Sequence, residues 1–106
     1  MAFKVVFRTR AEADFLALYR YIAEISGPIA AGNYIDRIEA ACLSLTNFPN
    51  RGVKRDDILS GLRTLTLERR LTIAYRVLRT EVEIVTIAYA GREFESDLRD
   101  DHEEDS

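Results

Sequence analysis

The stretch "YIAEISGPIAAGNYIDRI", residues 21–38, decides the fold. Glycine at position 27 suits the left-handed cap that ends a helix, and proline at 28 suits the first turn of the next one. These two residues are therefore expected to stop one helix and start another with almost no connection between them. Upstream, Ala11, Phe15, Leu18, Ile22 and Ile25 recur at spacings of four and three, which is one face of a helix. Downstream, Ala31, Tyr34, Ile35, Ile38, Cys42 and Leu45 repeat the pattern over a helix near 28–47, which Pro49 bars from continuing. Two helices joined by so short a turn lie antiparallel. Each has a single apolar stripe, so the pair needs a sheet to cover.

The flanking sequence supplies that sheet. "FKVVFR" (3–8) is β-branched and aromatic and reads as a strand. It runs into "TRAE" (9–12), a capping box in which Thr9 accepts from a first-turn amide while Glu12 reaches back to the cap. After the helices, "LRTLTL" (62–67), "LTIAYRVL" (71–78) and "VEIVTIAY" (82–89) are strand-length runs separated by short charged breaks, a meander. With Arg79 and Thr80 as the last turn, Val77 faces Val82 and Tyr75 faces Ile84 on one side, while Arg76 faces Glu83 on the other. The Val77 side is apolar enough to sit on the helices. The opposite side is expected to mix Ala74, Val85 and Ile87 with Arg70, Arg76 and Tyr89, an arginine-fringed face suited to binding.

"REFESDLR" (92–99) adds a short C-terminal helix anchored by Phe94 and Leu98, and "DDHEEDS" (100–106) is an acidic tail with nothing apolar to bury, read as disordered. The expected architecture is α+β in the order β-α-α-β-β-β, followed by that short helix. A single domain over 1–99 packs a helical hairpin on one face of a mainly antiparallel sheet, leaves the other face free for a partner, and carries the tail 100–106.

At 106 residues such a domain buries roughly two-thirds of the surface of its unfolded chain. The lone Cys42 excludes an internal disulfide, and the sequence has no apolar leader and no long apolar run, so a cytoplasmic protein without a membrane segment is expected. The net charge of −3 comes from the tail, which holds five acidic residues; the mild positive excess of the remainder lies in residues 51–99. That excess is too small to imply sequence-specific nucleic-acid binding by this chain alone. Thirteen of the fifteen basic residues are arginines, which favours planar, bidentate contacts with carboxylates or phosphates.

Chemistry narrows quickly. One His and one Cys do not compose a zinc set, and there is no Gly-rich phosphate loop, HExxH, GxSxG or CxxC, so neither metal nor cofactor is expected. Cys42 falls on an apolar stripe and reads as a small core residue; His102 sits in the tail, where nothing positions it as a base. Asp56 and Asp57 read as turn residues. The arginines on or beside strands remain: Arg63, Arg70, Arg76 and Arg92. Cross-strand pairing with Glu68 and Glu83 is their structural role, and Arg76 has Glu83 opposite it. Cross-strand pairing fits Arg92, at the junction in "IAYAGREFESDL" (87–98), less well than it fits Arg76.

Three words, "AEADFLALYRYIAEISGPIAAGNYIDRIEAACLSLTNFPNRG" (11–52), "GLRTLTLERRLTIAYRV" (61–77) and "VEIVTIAYAGRE" (82–93), resemble the ParE/RelE superfamily of small bacterial toxins, over about residues 3–98. The resemblance implies a toxin of a type II toxin–antitoxin module, assembled with a ParD-like antitoxin whose C-terminal segment covers a groove on the toxin. RelE-like members cut mRNA on the ribosome; ParE-like members poison DNA gyrase in its cleaved complex with no catalysis of their own. Against the RNase pattern, "LTIAYRV" has Thr72 where an arginine is usual. No Tyr or His follows the last-strand arginine in the folded part, and the expected lysine pair is only Lys54 and Arg55. The resemblance therefore implies the ParE-like branch, with Arg63, Arg70, Arg76, Tyr89 and Arg92 as partner-binding residues and no catalytic ones. In the RNase alternative, Arg63, Arg70, Arg92 and Tyr89 would carry the chemistry; a non-toxic antitoxin-binding subunit is the third reading.

Overall fold

The computed structural model describes residues 3–89. Its elements are β1 (Lys4–Phe7), α1 (Thr9–Ser26), α2 (Pro28–Ser44), β2 (Val53–Lys54), β3 (Leu62–Leu67), β4 (Leu71–Val77) and β5 (Glu81–Tyr89). The five strands form one sheet in the order β1-β5-β4-β3-β2. β1 runs parallel to β5, with Lys4 opposite Glu81 and Phe7 opposite Ile84, and every other pair is antiparallel. The expected α+β arrangement is present, with a two-residue strand β2 added at the edge beside β3. The short helix expected over 92–99, Arg92 and the acidic tail lie outside the described residues.

Gly27 alone separates the helices. Its φ of 93° and ψ of 162° lie in a region essentially reserved for glycine. Its amide donates to the Ala23 carbonyl at 2.9 Å, its carbonyl accepts from the Ala31 amide at 3.1 Å, and Pro28 occupies the first position of α2. The capping box is not formed. Residue 8 is the cap, in extended conformation and without a side-chain hydrogen bond, and Thr9 already lies in the helix. The reason is β1: the Arg8 amide donates to the Ile84 carbonyl at 3.0 Å, so strand pairing continues up to the residue at which the helix begins.

The helical stripes cover one face of the sheet. Ala11, Leu18, Tyr34, Ile38, Cys42 and Leu45 pack with Leu71, Ile73, Tyr75, Val82, Ile84 and Ile87. Phe7 and Phe15 add an edge-to-face ring pair at 5.5 Å where β1 meets α1. Burial pushes the Cys42 thiol up to about 12, with the charge of Glu39 adding to the effect, as fits a core residue and not a reactive one.

The register around the β4–β5 turn is the expected one: Val77 opposite Val82, Arg76 opposite Glu83, Tyr75 opposite Ile84. It then shifts by one between Tyr75 and Ala74, so that Ala74 faces Thr86 and Ile73 faces Ile87. Because side chains alternate with period two, this bulge sends everything beyond it to the other face. Ile87 and Tyr89, expected on the far face, therefore pack with the helices. The far face is not left free either: Ala74, Val85 and Ala88 form a second cluster there with Leu62 and with Ile58 and Leu59 of the β2–β3 loop.

Candidate functional site

With the far face occupied by its own loop, the surface suited to a partner lies at the end of the sheet, under the closed end of the helical hairpin where Gly27 joins α1 to α2. A groove of about 420 Å³ is enclosed there by α1 (Tyr21, Ile22, Ile25), α2 (Tyr34, Arg37), the β3–β4 turn (Glu68, Arg70) and the last residue of β5, Tyr89. The bulge puts Tyr89 into it. The rings of Tyr21 and Tyr34 each meet Tyr89 edge-on, with centroids 5.9 Å away.

Tyr34 is buried to 8 % exposure, and its hydroxyl has no hydrogen-bond partner among the described residues. Desolvation, reinforced by Tyr89 and Glu68, raises its pKa, so near neutrality it is a hydrogen-bond donor and not a proton acceptor. The Arg37 guanidinium lies 5.0 Å from the centre of the Tyr34 ring, a cation–π contact, and donates to both carboxylate oxygens of Glu68 at 2.8 and 3.3 Å. That hydrogen bond holds the Glu68 carboxyl below its usual range. Arg70 has no carboxylate partner among the described residues. The groove thus combines aromatic edges, an aliphatic floor and an arginine open to an anion, above a buried phenol.

The β3–β4 turn that aims these charges is itself unusual. Glu68 and Arg69 have φ of 51° and 64°, two consecutive side-chain-bearing residues in the left-handed region. Such a turn matches the right-handed twist of the paired strands but normally uses Asn or Gly.

Of the expected site residues that are described, the structure brings Arg70 and Tyr89 together and places Arg63 and Arg76 elsewhere, while Arg92 lies outside the described residues. Arg63 donates to the carbonyls of Asn50 and Gly52, at 3.1 and 2.8 Å, and so holds a loop. Arg76 is paired across the strands with Glu83 at 3.0 Å, its expected structural role. Glu68 pairs with Arg37 of α2 and not with a sheet arginine. Tyr21, Tyr34, Arg37 and Glu68 were not anticipated at the site. The spacing of three between Tyr34 and Arg37 is the one signal that pointed to their contact, since it places them on adjacent turns of one helix face. Among the described residues no cluster of His, Cys, Asp and Glu could hold a metal ion, and no helix is long and apolar enough to cross a membrane.

Comparison with known proteins is consistent with this architecture. Among solved structures, the chain is similar to one of the chromosomal ParDE toxin–antitoxin system of P. aeruginosa, with 29% identity, a TM-score of 0.74, and coverage of 84% of this chain and 97% of that one. It also shares its fold with a chain of the toxin–antitoxin complex RelBE2 of Mycobacterium tuberculosis, at 22% identity and a TM-score of 0.56, covering 84% and 99% of the two chains. Comparison with curated proteins gives no match. Residues 5–94 match the family described as the ParE toxin of the type II toxin–antitoxin system parDE, and the chain, with its helical hairpin on a five-stranded sheet, belongs to that family.

Proposed function

We propose that this toxin poisons DNA gyrase by holding it in its cleaved complex with DNA, and that a cognate ParD-like antitoxin neutralises it in a hetero-oligomeric complex. The observation that carries this reading is the family match over nearly the whole chain. The groove is compatible with it. Its rings, aliphatic floor and open arginine suit anchors from a partner protein, and its buried phenol is held protonated. Metal-free RNA cleavage by the set Arg63, Arg70, Tyr89 and Arg92 is supported less well, because Arg63 is committed to loop carbonyls.

The test is a gyrase supercoiling and cleavage reaction run beside a ribosome-programmed mRNA cleavage assay. Cleaved DNA accumulating with intact mRNA is the expected result; cut mRNA with unaffected gyrase overturns the reading. Arg92→Ala should weaken gyrase inhibition while changing unfolding stability by about 1 kcal/mol or less. Loss of the folded state in that variant would make Arg92 structural.

A further inference from the structure

The groove opens where β5 ends, and the charge of the chain changes sign at that point. Up to Tyr89 the sequence holds thirteen Lys and Arg against ten Asp and Glu; the seventeen residues after it hold two against eight. Within that segment Phe94, Asp97, Leu98 and Asp101 follow the spacing i, i+3, i+4, i+7, so in a helix they would share one face with two apolar and two acidic side chains. The groove offers the complementary set: Ile22, Ile25 and the tyrosine rings for the apolar pair, and Arg70 for the carboxylates.

We infer that the segment beyond Tyr89 docks its Phe94–Asp101 face in the groove of its own chain and competes there with a partner. Phe94 follows Tyr89, a lining residue, by only five positions, so the segment is presented to the groove at an effective concentration on the order of millimolar. A segment that binds as a free peptide with a Kd of about 0.1 mM then fills its own groove about nine-tenths of the time. A competitor's apparent affinity falls by about tenfold, because only the open fraction can receive it. This masking concerns occupancy of the groove and is independent of what the toxin poisons.

The experiment uses a fluorescent peptide of residues 93–106 as probe. Its binding is measured by anisotropy against the full chain and against the full chain carrying Phe94→Ser and Leu98→Ser. The expected result is about tenfold tighter binding to the double variant, weakening as salt rises and lost when Arg70→Glu is added. Equal binding to both proteins, or no binding to the double variant while circular dichroism shows it folded, overturns the inference. Should the double variant not fold, Asp97→Asn with Asp101→Asn in the full chain is the second variant, expected to bind the probe more tightly than wild type does; no difference overturns the inference. If the segment instead reaches a neighbour's groove, the masking grows with protein concentration alongside a sedimenting dimer, and the intramolecular inference fails.

Discussion

Tyr75 shows how one hydroxyl fixes a loop. It is fully buried on β4, donates to the Pro49 carbonyl at 2.8 Å and accepts from the Gly52 amide at 2.8 Å. This gives physical content to the "FPNRG" word that follows the second helix. Pro49 ends the helical path, and glycine is needed at 52 because a Cβ there would lie 2.6 Å from the Tyr75 hydroxyl and 2.9 Å from the Thr64 carbonyl. Tyr75→Phe leaves the buried Gly52 amide without its acceptor and should cost about 1–3 kcal/mol in urea unfolding; a loss below about 0.5 kcal/mol would mean that the loop finds another acceptor. The β3–β4 turn predicts the opposite sign. Arg69 has a φ of 64°, so Arg69→Gly should relieve strain and stabilise by up to about 1 kcal/mol. That corresponds to a rise in melting temperature of at most roughly 4–8 °C for a domain of this size. A fall would show that the Arg69 side chain holds the turn. Glu68 is the wrong place for the same change, since its carboxylate anchors Arg37.

Among the elements, β5 carries the most information and was the least legible. The run "VEIVTIAY" alternates without a glycine or any other mark of a bulge, and read at period two it sends Ile87 and Tyr89 away from the helices. What meets the bulge comes from α1. The buried Asp14 carboxylate accepts from the Thr86 hydroxyl at 2.5 Å and from the Ile87 amide at 3.0 Å, across 72 and 73 residues of sequence. A single polar residue facing a strand from a helix leaves no periodic trace, so the face switch could not be read. The features that could be read were local: the Gly27–Pro28 break, the two stripes, and the pairing on either side of Arg79 and Thr80. The capping box failed for a non-local reason too, since β5 claims the Arg8 amide. Asp14→Ala removes the acceptor for two buried donors and should destabilise by about 3 kcal/mol, with faster hydrogen exchange at the Ile87 amide. Asp14→Asn should cost less, because its amide oxygen still accepts. An alanine variant within about 0.5 kcal/mol of wild type would mean that the strand ladder sets the bulge unaided.

At the scale of the whole molecule the groove is a junction of four elements, and its legibility follows from that. Arg70 and Tyr89 were expected because they sit beside and on the strands; their neighbours Tyr21 and Arg37 come from helices whose exposed flanks carry no requirement that a sequence can display. The same construction places buried phenols in the core and beside the groove, with a consequence for the entire chain at alkaline pH. Desolvation is the largest cause raising the pKa of both Tyr34 and Tyr75, against smaller opposing contributions that for Tyr75 include the Gly52 amide. A proton held more tightly in the folded state than in the unfolded one adds stability below the unfolded pKa of about 10, and that stability is lost as pH rises through the folded values. The buried Cys42 thiol, pushed up to about 12, adds to the same loss. The unfolding free energy should therefore change little between about pH 7 and 8 and decline above about 9, first through the buried Cys42 thiol and then through the two phenols. Tyr34→Phe and Tyr75→Phe should each make that decline shallower, because each removes one phenol that must ionise inside the protein. Urea unfolding across the alkaline range checks this, and an unchanged slope in both variants would place the lost protons elsewhere.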